Sequence, residues 1–305
     1  MRLRLRRTAD ASGPAPEEAG PSSSSAENPS AASGSELESG RALRSFNRYE
    51  IKYLMPVVEI PRLREELGRR LKSDTHGVNG GYGVWSTYYD TRDLRFYWEK
   101  IEGLKFRRKL RVRHYGNRFD VDDDTVVHVE IKQRVNRVTQ KRRVALPYGV
   151  ARDLCDRRVM IEHGSSSKAF VEEVLELVTL LDLAPVMMTG YQREAFEGTE
   201  ADTGLRVTFD QRVRGRDRDF HFAADAENRL IVPAHLSVVE FKANERVPYW
   251  LTDLAGRLNM SVVRVSKYCQ GVEAYERAPR SIFHIPDEQP AGVPAGDAET
   301  VRSGS

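Results

Sequence analysis

The 305-residue chain holds only two cysteines, Cys155 and Cys269, and nothing in their setting suggests a pair. That argues against a disulfide scaffold and fits a reducing compartment. Long apolar runs are also missing. The richest stretch, residues 170–188, is interrupted by Glu172, Glu173, Glu176 and Asp182, so no membrane-spanning segment is expected. Residues 1–7 are basic, but no apolar core of a signal peptide follows them. The expectation is a soluble, cytoplasmic protein. The seven histidines include no pair at helical metal-binding spacing, and there is no Cys-x-x-Cys, which argues against a zinc site. Residues 77–83 are glycine-rich but lack the Lys-Ser/Thr of a phosphate-binding loop, so they read as a turn. No nucleophile elbow or dinucleotide fingerprint is present. A net charge of +3 is too small to mark a nucleic-acid binder by bulk charge.

What is present is local charge in a strand pattern. In Lys105-Phe106-Arg107-Arg108-Lys109-Leu110-Arg111-Val112-Arg113, alternate residues point to opposite faces of a strand. Lys105, Arg107, Lys109, Arg111 and Arg113 share one face. Phe106, Leu110 and Val112 share the other, with Arg108 the exception. Glu50-Ile51-Lys52, Glu130-Ile131-Lys132, Glu240-Phe241-Lys242 and Arg206-Val207-Thr208-Phe209-Asp210 repeat the device. A row of like charges repels itself unless water, carboxylates or a polyanion neutralise it. Two architectures satisfy the pattern: a sandwich with solvated outer faces, or a closed sheet with a charged interior under a helical coat. Tyr49, Tyr53, Phe106 and Phe241 fall opposite the charges, which argues against bases stacking along the basic face, so no nucleic-acid partner is expected.

Along the chain, residues 1–44 are rich in Ser, Ala, Pro, Gly and Glu and are expected to be disordered, as is the tail 278–305. The intervening region, 45–277, reads as one α+β domain. Strands are expected at 48–55, 84–89, 105–113, 126–133, 138–146, 189–197, 205–212 and 237–242. Helices are expected at 59–72, 92–101, 151–163, 168–183, 248–258 and 266–275. The acidic run Asp122-Asp123-Asp124 sits in a loop without calcium-loop spacing and reads as a hairpin tip.

Many strand-borne cations beside a few carboxylates suit phosphoryl transfer. That chemistry needs positioned cations on the phosphate oxygens and an oxygen-ligated divalent ion. Taken singly, each Glu-x-Lys pair reads as a cross-strand salt bridge.

The residues also resemble a family. Arg48-Tyr49-Glu50-Ile51-Lys52-Tyr53, Thr87-Tyr88-Tyr89-Asp90-Thr91, Lys109-Leu110-Arg111-Val112-Arg113-His114-Tyr115-Gly116 and Val129-Glu130-Ile131-Lys132 carry the likeness. So do Gly190-Tyr191-Gln192-Arg193-Glu194-Ala195-Phe196, Arg206-Val207-Thr208-Phe209-Asp210, Val239-Glu240-Phe241-Lys242 and Ser266-Lys267-Tyr268. In that order, over about residues 45–276, they resemble the VTC-type polyphosphate polymerase domain of the CYTH, or triphosphate tunnel metalloenzyme, superfamily. The resemblance implies an eight-stranded antiparallel β-barrel forming a tunnel, charged inside, with helices packed outside. It implies transfer of the ATP γ-phosphate to a growing polyphosphate chain, with Mn2+ or Mg2+ as cofactor. Lys52, Arg111, Arg113, Lys132, Arg193, Arg264 and Lys267 match its phosphate-binding bases, and Glu240 its metal-holding glutamate. The charged alternation adds Lys109, Arg206 and Lys242 as substrate contacts, the basic stretch 132–143 adds Arg142, and Glu130 and Glu50 are further metal-ligand candidates. The superfamily's hydrolases often begin Glu-x-Glu-x-Lys. Here Arg48 replaces the first acid, which leans toward the polymerase. A triphosphatase or polyphosphate hydrolase on the same scaffold, or a non-catalytic polyphosphate or nucleotide binder, is the alternative. Eukaryotic members of the family carry a phosphate-sensing domain before the tunnel and membrane helices after it, and neither is expected in this chain.

Overall fold

The computed structural model describes residues 49–74, 81–136, 138–199, 202–244 and 246–286. The expectation for 1–44, and that for the tail beyond 286, fall outside the described residues. The strands are β1 (Tyr49–Pro56), β2 (Leu71–Ser73), β3 (Gly81–Asp90), β4 (Phe106–Tyr115), β5 (Val126–Val135), β6 (Val138–Pro147), β7 (Ala184–Gly198), β8 (Arg206–Arg216), β9 (Arg229–Leu230), β10 (Leu236–Ala243) and β11 (Ser261–Val263). The helices are α1 (Ile60–Gly68), α2 (Arg95–Ile101), α3 (Tyr148–Cys155), α4 (Lys168–Leu180), α5 (Tyr249–Arg257) and α6 (Lys267–Ala274).

All pairings are antiparallel, in the order β11-β1-β10-β8-β7-β3-β4-β5-β6, with β2 added to β7 and β9 to β8. The expected eight-stranded barrel is therefore corrected to an 11-stranded sheet whose edges, β11 and β6, do not pair with each other. The sheet is nonetheless strongly curled. β1 and β5 lie six strands apart in that order, about 29 Å if the sheet were flat. Yet Lys132 Nζ on β5 lies 3.3 Å from Glu50 Oε2 on β1. Only a sheet wrapped round on itself brings two side chains that far apart in strand order together.

Alternation then sorts the packing. On the convex face, Tyr53, Met55, Val207, Phe209, Val239 and Phe241 pack under α1 and α5 through Leu63, Leu67, Leu251 and Leu254. A second convex cluster joins Leu110, Val112, Val127, Val129 and Ile131 to α3 and α4 through Ala151, Leu154, Val171, Val174 and Val178. Burying each such aliphatic side chain contributes roughly 1.5–3 kcal/mol. The outside position expected for the helices holds for these four and not for α6. Val272 and Ala274 of α6 pack on Tyr88, Met187, Val84, Tyr191 and Val238, residues of the concave face. A Cβ on Gly271 would meet Met187 Sδ at 2.9 Å, so the bare glycine permits this close seating. α2 crosses the end of the sheet, with Phe96 in the convex cluster and Tyr97 in the concave one.

Other boundaries moved for local reasons. The helix expected at 59–72 ends at Gly68, and Leu71 joins β2 opposite Gly198. Leu71 is buried either way, so apolar spacing alone did not separate the two outcomes. The helix expected to 163 stops at Cys155, and Arg158 lies in the left-handed region at φ 59°. The domain boundary expected at 277 falls short, because Ala278 and Ile285 are buried against the concave-side clusters.

Candidate active site: a basic chamber on the concave face

Three carboxylate-centred groups organise the concave face. The deepest is Asp210 on β8, fully buried. Arg193, its cross-strand neighbour on β7, donates to it from Nε at 2.7 Å and Nη2 at 2.8 Å. Lys267 Nζ, on the first residue of α6, lies 2.6 Å away. Burial opposes ionisation of Asp210, but Arg193 and Lys267 prevail and bring its pKa down to about 2.

The second group joins β1 and β10. Glu240 meets Lys242 at 2.8 Å and Lys52 at 3.7 Å, while Glu50 meets Lys52 at 2.9 Å and Lys132 at 3.3 Å. The Glu50 and Glu240 carboxylates share Lys52, and each bears on the ionisation of the other. Burial disfavours both charges, yet the lysines hold Glu240 well below the usual carboxylate range. Burial takes Lys242 down to about 8 despite Glu240, and Arg193 pushes the same way.

The third group surrounds Glu130 on β5. Arg111 lies at 2.6 Å, Lys141 at 2.6 Å and Arg113 at 4.0 Å. Burial works against this carboxylate as well, but its three cations keep it strongly acidic. Arg111 also donates to the Tyr88 hydroxyl at 3.1 Å. Burial alone would raise the Tyr88 phenol, but Arg111, Arg113 and Lys109 together lower it to about 8. Arg113 donates to Ser86 at 3.0 Å, and Lys109 donates to Ser266 Oγ at 2.6 Å, next to Lys267.

Of the candidate residues from the sequence, Lys52, Lys109, Arg111, Arg113, Lys132, Arg193, Lys242, Lys267, Glu50, Glu130 and Glu240 share this face. Arg206 stands at its rim, between Glu197 at 2.6 Å and Asp74 at 2.7 Å. Two residues lie elsewhere. Arg142 is opposite Ile131 on the convex face and forms a two-pronged pair with Glu173 of α4. Arg264 is exposed and rests over the Phe283 ring, 6.0 Å from its centroid. Sequence reasoning missed Asp210, Tyr88 and Lys141. Asp210 shares the parity of Arg206 and Thr208, so alternation carried its signal. Lys141 faces Lys132 in the β5–β6 register, one residue from the Arg142 chosen. A one-residue slip exchanges the faces of a strand.

Among the described residues, no three His, Cys, Asp or Glu side chains gather as a metal cage. Mg2+ and Mn2+ favour oxygen ligands, and Mg2+ in phosphate sites is commonly held by one or two carboxylates, with water and phosphate completing its shell. Glu50 and Glu240, which share Lys52, fit that donor set. Glu130, enclosed by three cations, stands apart from it.

The curled antiparallel sheet thus carries more Lys and Arg than carboxylates on its concave face. The chain belongs to the VTC domain family, which matches residues 47–275. It is similar to vacuolar transporter chaperone complex subunit 4 of Trypanosoma brucei brucei (strain 927/4 GUTat10.1), 26% identical over 271 residues, covering 74% of this chain and 34% of that protein. The subunit 4 of Trypanosoma cruzi (strain CL Brener) is 25% identical, with the same coverage. The match thus spans about a third of the length of these relatives. A solved structure described as a putative adenylate cyclase from Bacillus halodurans aligns at 12% identity and a TM-score of 0.43, over 72% of this chain and 94% of that one. At that score it carries no argument about function. No described helix is long and apolar enough to cross a membrane.

Proposed function

We propose that the chamber transfers the γ-phosphate of ATP to a growing polyphosphate chain, with a divalent metal ion as cofactor. One observation carries the reading. Lys52, Lys109, Arg111, Arg113, Lys132, Arg193, Lys242 and Lys267 converge on one concave face and outnumber Glu50, Glu130, Glu240 and Asp210. Such a surplus is unfavourable until an anion arrives. A linear polyphosphate meets many of these cations at once, and arginine grips two phosphate oxygens together. Membership of the VTC domain family supports the same assignment.

In this reading Arg111, Arg113 and Arg193 hold phosphate oxygens in line. Lys52, Lys132 and Lys242 offset charge that builds on the transferring group. Lys267 and Ser266 present the N-terminus of α6 to the anion, where unpaired backbone N–H groups favour negative charge. Glu240 and Glu50 would hold Mn2+ or Mg2+, which would offset the negative charge of the phosphates. The test is to incubate purified protein with ATP and manganese and separate the products by size. Long polyphosphate is expected. Free phosphate alone would assign a hydrolase, and no turnover with intact tripolyphosphate binding would leave a binding protein.

A further inference from the structure

The segment that follows the family match is built into the chamber wall. The match ends at residue 275. Glu276 then adopts a left-handed backbone, φ 56°, which turns the chain back along α6. From there the chain makes specific, buried contacts with α6. Gln270, almost fully buried, uses its whole amide on one residue. Its Nε2 donates to Ile285 O at 3.0 Å, and its Oε1 accepts from Ile285 N at 3.0 Å. Glu273 accepts from Tyr97 Oη at 3.0 Å, and its other oxygen lies 2.8 Å from His284 Nδ1. The same Tyr97 hydroxyl reaches Pro279 O at 3.1 Å. Ala278 and Ile285 add apolar burial on either side.

α6 has only eight residues, which is too short to be stable alone in water. Its own capping is modest: Ser266 Oγ accepts from Cys269 N at 3.4 Å. Yet its first turn delivers two chamber groups, Lys267 to Asp210 and Ser266 to Lys109. What fixes the C-terminal half of α6 therefore fixes where those groups stand.

We propose that residues 278–286 are a strap that sets the position of α6, with Gln270, Glu273 and His284 as positioning residues for Lys267. The consequence for phosphate binding rests on the function proposed above. The ordering of α6 does not.

The experiment compares the full chain with chains ending after Pro286 and after Arg277, each alone and with Lys267→Ala. Hydrogen exchange of α6 amides reads the ordering, and calorimetry with tripolyphosphate reads binding. Ending after Pro286 should change neither. Ending after Arg277 should speed α6 exchange at least tenfold and weaken tripolyphosphate about tenfold, while in the Lys267→Ala background it should cost less than twofold further. Gln270→Ala with His284→Ala in the full chain should reproduce these effects, and this stands in if the shorter chain fails to fold. Unchanged α6 exchange in the double variant overturns the strap. So does a tenfold loss of binding that persists without Lys267, since the segment would then act through general stability. If the full chain ignores tripolyphosphate, the functional reading falls, while the exchange data still decide the strap.

Discussion

Replacing Asp210 by Asn removes one negative charge between two buried cations and keeps the shape of the side chain. Arg193 and Lys267 retain only 11% and 13% of their side-chain exposure, so water cannot replace the lost partner. Breaking a buried ion pair from one side costs about 3–5 kcal/mol. The pKa gives a second measure. A fall from 3.8 to about 2 corresponds to roughly 2–3 kcal/mol of stabilisation by the ionised group. The two agree at the low end, so about 3 kcal/mol is expected, or a fall in Tm of about 6–12 °C for a domain of this size. Because the folded-state pKa is depressed, this stabilisation is present above about pH 4 and fades as pH falls towards 2. The gap between wild type and variant should close over that window. The chamber reading adds a further expectation. Tripolyphosphate can supply the missing negative charge, so it should raise the Tm of Asp210→Asn by more than it raises that of the wild type. Differential scanning fluorimetry with and without tripolyphosphate reads both effects. An equal rise in the two proteins would place the anion away from Arg193 and Lys267 and refute the reasoning.

Glu240→Gln keeps size and polarity but loses a charged metal ligand. ATP turnover should fall at least 100-fold and its manganese dependence flatten, with ATP binding retained, as measured by turnover across a manganese titration. Unchanged turnover would make Glu240 a partner of Lys52 and Lys242 alone. Register gives a paired expectation: Lys141→Ala should weaken tripolyphosphate binding several-fold by calorimetry, whereas Arg142→Ala should leave it within twofold. Arg142→Ala should also cost no more than about 1 kcal/mol of stability in denaturant unfolding, because its pair with Glu173 is partly exposed.

The fold was legible wherever a pattern had one physical reading. Alternating charge placed β1, β4, β5, β8 and β10, because only an extended chain puts Lys109, Arg111 and Arg113 on one side. Helical spacing placed α4 and α5. What the pattern could not supply was depth and partnership. Asp210 looks in sequence like the end of a strand, and its role exists only because β7 delivers Arg193 and α6 delivers Lys267 from residues far along the chain. Arg142 and Lys141 are adjacent, and only the register of the β5–β6 hairpin decides which of them enters the chamber. The position of α6 was equally hidden. Its apolar residues Val272 and Ala274 suit a concave wall as well as a convex one, and the close seat at Gly271 appears only against Met187.

The open sheet follows from the same charges that build the chamber. Closing the barrel would require β6 to hydrogen-bond along β11 or the free part of β1. β6 presents Lys141, Arg142 and Arg143 in succession, and charged residues on an edge strand oppose pairing with another strand. β11 is only three residues long and offers little backbone to pair. Across the gap, contact is made by side chains instead, through Lys132 and Glu50. An ion pair tolerates small changes in strand separation that a backbone ladder does not. Glu50 belongs both to this contact and, through Lys52, to the group around Glu240. Loss of Lys132 would therefore alter the charge balance at Glu50, one of the two residues proposed to hold the metal, through a single side chain.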